Sequence, residues 1–584
     1  MRQTDSSQQY ATSSSQPHVA VEPVYSSPAP RPSRQPSHLR RFRFLYLGII
    51  AAILLVLALP LINLSRYQRR IAASISDSLG RPVHLDNISL MLLPVPGLTI
   101  QNLVVGESPE FGSEPIIRAN SVHATLRLAS LWRRQVEISS ISFTDPSVNL
   151  VHSPNGRWNI EGILLSASRV ETAPTAQPHA GPAPRFPYIE ATGARLNIKQ
   201  GQEKLSFSLV DADFALWLPD PHQWHLRLSA HPTRTDANVN NAGTIEIEST
   251  LGAASSLAQV PFNLQGQWRD APLGEATHVL FGHDAGWRGV MNLAVNLRGT
   301  FGENAVTARL HLEDTRPADF VPDQSLTTDA ECFATASGLF HAFEDIRCSW
   351  PPASAAHNTA LTLTGAIPDV HRLEAASFQL SASELPASRL VTLMRATSPR
   401  VPSDLTAAGA LTGTLTYSPA AGKNAQHTAA RWQGQFTLAE AKLSNDGDKA
   451  STLLSTDVHL HTASNEPPTR HRNAAPSPAA HGLLLPPTPL LLGGRDPATL
   501  EGRFDSTGYI LRLSGNATAS RLESLAQALP PLGDGLLKAP PQDYPTTAPF
   551  HLDLTATRTW HGQQIWAISP EQSPKATKPH IRRR

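Results

Sequence analysis

The stretches NLAVNLRGT at residues 292–300 and TARLHLED at residues 307–314 decide the fold class of this chain. Apolar and polar side chains alternate in both, which is the period of a strand with one apolar and one polar face. The same alternation recurs at 83–85, 98–100, 122–128, 136–138, 141–143, 148–150, 226–230, 244–250, 360–365, 377–383, 413–418, 458–463, 510–517 and 550–557. Strands buried on both faces would be apolar throughout. We therefore expect a mainly β protein with a one-faced, antiparallel-type sheet and a few short helices.

Composition agrees with many short elements. The chain has 50 prolines and 35 glycines but only 6% aromatic residues, which is typical of strands separated by turns. At 584 residues it is too long for one compact core, so we expect a modular or repeat-like body. The formal net charge is +1 with 17% charged residues, which leaves no broad basic surface for phosphates. Nucleic acid is therefore not an expected partner.

One apolar run predicts a membrane anchor. Residues 44–64 read FLYLGIIAAILLVLALPLINL without a charge, and about 20 such residues span a hydrocarbon layer. We expect a transmembrane helix over 44–65. A cleaved signal peptide is the alternative, but the run is longer than the ~7–15 residues usual there and lacks a clean small-x-small site. More arginines precede the run than follow it, which places the Ser-, Gln- and Pro-rich residues 1–43 in the cytoplasm as a disordered tail.

Shorter segments organise the rest. Residues 66–80 carry Ile71, Ile75 and Leu79 one helical turn apart and end on Gly80, which predicts a short amphipathic helix. Residues 166–187 and 464–498 lack a period and are expected to be linkers, and 566–584 a disordered basic tail. A weak repeat, ASRLVTL at 387–393 and ASRLESL at 519–525, follows an alternating strand each time and predicts two short helices.

Cys332 and Cys348 are the only cysteines. Outside the cytoplasm such a pair would close a loop of ~15 residues, worth roughly 3 kcal/mol by chain entropy. We favour a disulfide, and two buried free thiols are the alternative. Nothing nearby has metal-ligand spacing, so no metal and no cofactor is expected.

No catalytic motif survives comparison with a simpler interpretation. Gly422-Lys423 lacks the first glycine and the hydroxyl residue of a phosphate loop. His459 and His461 share one face of a strand without an acidic or cysteine partner. The segment Phe281–Gly289, with His283 and Asp284, suits a turn between a helix and a strand, and Arg234 with Asp236 suits a loop ion pair. We expect a protein that is not an enzyme.

The apolar sheet face remains as the candidate site. A long antiparallel sheet that curls would line a groove with it, whereas packing against a second sheet would make it an ordinary sandwich core. Alternation does not separate the two. The side chains expected to line the groove are Leu98, Ile100, Val122, Leu126, Leu128, Ile138, Phe143 and Leu150.

Five motifs after the apolar run resemble the AsmA family. They are Leu79-Gly80-Arg81-Pro82-Val83, LPVPGL at 93–98, ESPEFGSEP at 107–115, ISFTDP at 141–146 and NGRWN at 155–159. A second block, residues 193–213 with Arg234-Thr235-Asp236 and Gly243, also resembles AsmA-type proteins, and the similarity is looser from residue 300 onward. The resemblance implies a single-pass protein of the bacterial inner membrane whose bulk lies in the periplasm, linked to outer-membrane assembly and lipid homeostasis. The family is similar to bridge-like lipid-transfer proteins, whose taco-shaped β-sheet holds acyl chains, and it brings no catalytic residues.

The resulting expectation is an AsmA-like β module at 66–165, an elongated, curled β-groove at 188–463 and a C-terminal β segment at 499–565. Phospholipid, the inner membrane and an envelope protein are the expected partners. The function expected is binding or transfer of phospholipid along the groove. The alternative is a structural or regulatory scaffold that affects outer-membrane protein assembly without carrying lipid.

Overall fold

The computed structural model separates into two compact units, residues 1–61 and 62–584, and each is described by itself. The structure describes residues 45–51, 53–54, 68–69, 72–73, 75–76, 79–91, 95–127, 138–162, 187–220, 223–236, 242–323, 325–352, 360–370, 372–397, 401–419, 431–445, 452–462, 482–504, 508–528, 547–559 and 565–568.

The first unit is helical where it is described. Residues 45–51 and 53–54 are helical, and large apolar side chains such as Leu45, Tyr46 and Leu47 are exposed there. Within the described ranges, no helix combines the length and the apolar character needed to cross a membrane. Much of the predicted span 44–65, and the whole tail 1–43, lies outside those ranges. The membrane helix therefore stays a prediction.

The second unit is built on a single 26-stranded sheet, so the expectation of a mainly β protein is confirmed. The strands are β1 Val83–His84, β2 Asn87–Met91, β3 Gly97–Val105, β4 Ile117–Leu126, β5 Ile138–Thr144, β6 Ser147–His152, β7 Tyr188–Gln200, β8 Glu203–Asp220, β9 Gln223–Arg234, β10 Thr244–Gly252, β11 Pro261–Pro272, β12 Trp287–Thr300, β13 Glu303–Pro317, β14 Leu326–Ser337, β15 Ala342–Trp350, β16 Ala360–Ile367, β17 Ser377–Pro386, β18 Leu405–Ser418, β19 Arg431–Asn445, β20 Thr452–Ser455, β21 Val458–Thr462, β22 Leu483–Leu490, β23 Ala498–Phe504, β24 Gly508–Ala517, β25 Phe550–Thr559 and β26 Ile565–Ile568.

The pairing is antiparallel between nearly all neighbours, as the alternation predicted. From β7 to β19 each strand pairs with the next one along the chain. The exception is near the N-terminus, where β7 runs parallel to both β5 and β6. A parallel pair needs a long crossover connection, and the chain between β6 and β7 provides it. Sequence alternation alone gave no sign of this pairing.

Within the sheet region that the structure describes, three α-helices each follow a strand and precede the next one: α1 Leu273–Phe281, α2 Ala387–Thr397 and α3 Ala519–Ala528. Helices α2 and α3 begin with the two copies of the sequence repeat, which confirms the prediction of helices there. Helix α1 is a third example that the repeat did not reveal. It ends at Gly282, which has φ 78°, a left-handed conformation that glycine adopts without strain. Short 3-10 helices lie at Leu257–Gln259 and Leu373–Ala375.

β-Bulges recur along the sheet. The register shifts in β8, β11, β13 and β17 each contain an acidic residue with positive φ: Asp211, Asp270, Asp314 and Glu384. The neighbouring strand satisfies the freed backbone at some of them, since the Asp270 N–H donates to Asn292 Oδ1 over 3.0 Å. A bulge bends a strand and increases its twist. Repeated bulges are therefore a means of curving this sheet.

The second half of the segment 464–498, which we expected to be a linker, contains β-strands. Residues up to 481 lie outside the described ranges, but β22 and the start of β23 fall within 482–498. Its prolines suggested a linker, yet Pro486 and Pro487 lie at a register shift between Leu485 and Thr488. Proline is tolerated in a sheet at such a bulge, because no ladder hydrogen bond is required there. The expected linker at 166–187 lies outside the described ranges except for residue 187.

Candidate functional site

One row of cross-strand neighbours carries apolar residues from strand to strand across most of the sheet. We call it the central row. Its members, in register order, are Ile88, Ile100, Val122, Phe143, Ala191, Phe214, Leu228, Ile247, Gly266, Val295, Ala308, Cys332, Cys348, Leu363, Leu380, Leu415 and Gly434. Paired residues point to the same face, so the row is a continuous apolar strip.

A second, nearly apolar row lies two residues away on the same face. Its members are Leu90, Leu98, Ala124, Ile141, Ile189, Leu216, Leu226, Ser249, Leu264, Leu297, Val306 and Ala334. The row between them faces the other way and is mostly polar, for example Gln265, Asn296 and Thr307. The sheet therefore has one apolar and one polar face over this distance.

Burial divides the central row into a middle and an N-terminal end. Every member from Phe214 on β8 to Gly434 on β19 is half-buried. At the N-terminal end, Ile88, Ile100 and Val122 are buried, with exposures of 2%, 8% and 3%. Side chains between the two sheets of a sandwich would be fully buried. The middle of the face therefore lacks the burial of a sandwich core.

The N-terminal end is covered by helical residues. Ala72, Ile75 and Leu79 pack onto the buried cluster that contains Ile88 and Ile100. The described residues of this segment up to residue 79 are helical, and Gly80 has φ 63°. Within the described residues, the predicted amphipathic helix and its end at Gly80 are therefore confirmed. This helix buries the apolar face at its first strands.

A buried polar network attaches this helix to the sheet. The Arg81 guanidinium lies 2.8 Å from a Glu107 carboxylate oxygen, and their side chains are 5% and 2% exposed. Asn159 is fully buried; its side-chain amide donates to Glu107, and its backbone carbonyl accepts a hydrogen bond from Arg81. These three residues come from three of the AsmA-like motifs, at 79–83, 107–115 and 155–159. The motifs therefore contribute to one buried polar network that holds the N-terminal end together, and the sequence alone did not reveal this network.

The C-terminal end is covered by α3. Leu522 and Leu525 of α3 have 0% exposure and pack with Leu513 and Leu552 of β24 and β25. The apolar rows there, such as Leu500, Leu513 and Leu554, are buried as well. This end of the sheet is an ordinary packed core.

Helix α1 lies against the apolar face near one end of β11 and β12. Leu273 and Ala276 of α1 pack with Trp268, Ala271 and Met291. α1 also contacts β8, and α2 contacts β13 and β14. Both helices therefore reach back over strands that precede them by several positions.

Four ionisable side chains join α1 to the end of β9. Arg234 donates two hydrogen bonds of 2.9 Å to Asp236, which confirms the ion pair suggested by the sequence. Glu275 of α1 lies 3.5 Å from Arg234, and His278 of α1 lies 3.6 Å from Asp236. The hydrogen bond from Arg234 lowers the pKa of Asp236 to about 2. The cluster therefore links α1 to the end of β9.

Cys332 and Cys348 form a disulfide between directly paired positions of β14 and β15, with Cα atoms 4.0 Å apart. Both lie in the central row, between Ala308 and Leu363. The bond therefore ties two strands together in the half-buried middle of the apolar face. A disulfide contributes no charge, so the strip stays apolar across it.

The side chains expected to line a groove lie at the N-terminal end. Ile100 and Val122 are buried, while Leu98, Leu126, Ile138, Phe143 and Leu150 are half-buried. Leu128 lies outside the described ranges. Their role as lining residues stays a prediction. The longer half-buried strip from β8 to β19 was missed as a set of residues, because the pairing register was needed to see it.

The remaining residues considered for catalysis or metal binding lie in turns or on exposed strand positions, or outside the described ranges. His459 is exposed and lies 3.2 Å from the Thr437 hydroxyl, and Phe281–Gly289 forms the end of α1 and the turn into β12. Gly422-Lys423 lies outside the described ranges. Within those ranges, no three His, Cys, Asp or Glu side chains are grouped so as to hold a metal ion.

The fold and the strip define a class: a one-sheet β protein whose apolar face, among the described residues, is half-buried in its middle and buried at both ends. A comparison with models of known protein families gives a match in the N-terminal part of the chain. Residues 40–208 match the model of the AsmA family. Searches of curated proteins and of solved structures gave no match.

Proposed function

We propose that this chain is a non-enzymatic protein of the bacterial inner membrane that binds phospholipid acyl chains along the apolar face of its sheet and serves outer-membrane assembly. In this proposal the run 44–64 is the single membrane anchor, residues 1–43 are cytoplasmic and the sheet lies in the periplasm. The observation that carries the proposal is the half-buried middle of the central row, from Phe214 to Gly434.

The size of the strip supports a lipid ligand. At ~4.8 Å between neighbouring strands, the ladder from β8 to β19 extends over roughly 50 Å. Leu293, Val295 and Leu297 lie on the same face of β12, and their backbone spans roughly 14 Å at ~3.4 Å per residue. One leaflet of a bilayer has about 15 Å of hydrocarbon, half of the ~30 Å core. The breadth of the strip therefore fits an acyl chain lying along the strands.

The energetics favour an apolar occupant. The strip measures roughly 50 Å across the strands and roughly 14 Å along β12, and large contiguous apolar patches of this kind typically mark binding sites. Burying apolar surface contributes roughly 25 cal/mol per Å². Curvature at the recurrent bulges would turn the face into a groove that leaves lipid headgroups in water. The AsmA-family segment and its implied link to lipid homeostasis point the same way.

Two adjacent residues on opposite faces test the proposal. Val295 belongs to the central row, whereas Asn296 is exposed on the polar face. We expect Val295→Asp to abolish co-migration of a fluorescent phospholipid with the detergent-purified full chain on native gels, because a carboxylate would sit in the acyl-chain path. Asn296→Asp adds the same charge and should retain the label. Equal labelling of both variants would contradict the proposal.

Gly266 offers a blocking variant without a new charge. A Cβ added there would meet only Leu264 Cδ2 at 3.6 Å and the Val295 carbonyl oxygen at 3.9 Å, so a larger side chain has room. Gly266→Leu should fold normally and reduce bound phospholipid by filling the strip. Gln267→Leu, on the polar face of the same strand, is the matched control. A Gly266→Leu protein that folds and binds as much lipid as Gln267→Leu would argue for a scaffold that carries none.

A further inference from the structure

We infer that the apolar face is a bounded compartment, which acyl chains enter and leave sideways along the middle of the sheet and not through either end of the strand ladder. The inference rests on the proposed function. It adds the access route and a limited capacity, because the strip does not continue uncovered to the edge strands.

The N-terminal end is closed by close packing. Ile88 of β2 and Val122 of β4 are 2% and 3% exposed, beneath Ile75 and Leu79 of the amphipathic helix. The Arg81–Glu107 ion pair beside them is also buried. Protein interiors are packed at the density of organic crystals, so an acyl chain has no room there unless the helix moves. Moving it would separate a buried ion pair, which is strongly unfavourable.

The C-terminal end is closed in a different way. Between β19 and β24 the apolar face is buried first in a small cluster that includes Phe436 and then in a larger one that includes Leu485 and Leu511, and all three side chains are at most 9% exposed. Leu522 and Leu525 of α3 lie over it with no exposed surface. A chain leaving this way would have to displace α3 from fully buried leucines. The core and the strip lie on the same face of the sheet, so the core bounds the strip at its C-terminal end.

The middle is less buried than either end. Leu380 and Leu415 pack, together with Leu390 of α2, against a small buried cluster of Ala382, Leu385 and Phe436, but they are themselves only half-buried. Leu228, Val295, Leu363 and Leu415 are all half-buried, and they lie on β9, β12, β16 and β18. The buried contacts of α1 are with Trp268, Ala271 and Met291, near one end of the strands, so α1 leaves the middle of the strip uncovered. Acyl chains therefore have access from the side. A partner that delivers or receives phospholipid would have to meet this middle section and not the terminal strands.

Photo-leucine labelling of the full chain tests the inference. This analogue nearly matches leucine in size, so partial replacement of all leucines should preserve the fold, and thermal unfolding checks that it does. The labelled protein would be irradiated with vesicles of phosphatidylethanolamine and phosphatidylglycerol, and the lipid-modified peptides mapped by mass spectrometry. We expect adducts at Leu228, Leu363, Leu380 and Leu415, and none above background at Leu103, Leu513, Leu522 and Leu525.

The possible outcomes separate the two proposals. Adducts at Leu513 or Leu522 as abundant as those at Leu363 would overturn the bounded compartment and leave lipid binding intact. Leu373 is 63% exposed and lies in a 3-10 helix outside the central row, so it reports adsorption to the surface. No adducts in the middle, or no more there than at Leu373, would overturn the proposed function itself.

Discussion

The middle of the sheet and its C-terminal end share the same antiparallel pairing and the same alternation of side chains, yet they bury those side chains differently. Leu363 and Leu380 of the middle are half-buried, whereas Leu513 and Leu554 of the C-terminal end are 1% exposed. The difference lies in what covers the face. At the C-terminal end α3 inserts two fully buried leucines, and over the middle α1 and α2 reach only part of the strands.

This contrast shows that alternation specifies a one-faced sheet but not what the apolar face meets. A strand reads the same whether its apolar side chains pack against a helix or remain available to a ligand. The position of the covering helix decides whether the apolar side chains are buried. In this chain the buried ends stabilise the fold, and the half-buried middle is the region to which we assign the proposed function.

The largest expected effect is the loss of stability when the buried Arg81–Glu107 ion pair is broken, compared with the loss when an exposed ion pair on the polar face is broken. Glu107→Ala leaves Arg81 buried without its partner and should lower the free energy of unfolding by about 3–5 kcal/mol. Glu248→Ala removes the partner of Arg227 from a pair in which both side chains are more than 60% exposed, and such pairs contribute little. Urea unfolding followed by circular dichroism would compare the two. Similar losses would show that the N-terminal end is not held by this network.

A leucine truncation at each region sharpens the comparison directly. Leu522→Ala, in the C-terminal core, should cost about 2–5 kcal/mol because it leaves a cavity. Leu380→Ala, in the half-buried middle, should cost less, roughly 1–2 kcal/mol, because Leu380 is only partly buried against its neighbours. Unfolding of lipid-free protein is the measurement. Equal costs at the two sites would mean that the middle is a packed core after all.

The smallest expected effect is a pH dependence on the polar face of the middle. Hydrogen bonds to Glu313 and then to Asp329 raise the pKa of His311. A raised folded pKa gives stability that is fully present below the unfolded value of about 6.5 and is lost as the pH rises through the folded pKa. The wild-type chain should therefore lose slightly more stability than His311→Gln between pH 6 and 9. A steeper loss in the variant would contradict this assignment.

Much of the fold was predictable from residues close together in sequence. The strands at 226–230, 244–250 and 292–300, and the helices that begin at Ala387 and Ala519, all depend on local periodicity. The parallel pairing of β7 and the bulges at Asp270 and Asp314 depend on distant partners, so local patterns did not reveal them. The strands after Leu483 were hidden by prolines that the bulge at 485–488 accommodates.

The candidate site was predictable as a kind of surface but not as a set of residues. Alternation identified an apolar face, and the residues first chosen, such as Ile100 and Val122, proved to lie under a helix. Which members remain half-buried depends on register and on α1 to α3, which pack through contacts between distant parts of the chain. The AsmA-like motifs likewise indicated a family, while their contribution to the Arg81–Glu107–Asn159 network required the folded arrangement.

Native mass spectrometry of the full chain, purified in mild detergent without added lipid, tests the central claim most directly. We expect the folded wild-type protein to carry co-purifying phospholipid, Val295→Asp to lose it and Asn296→Asp to keep it. Wild-type protein that is fully folded and consistently free of phospholipid would contradict the claim.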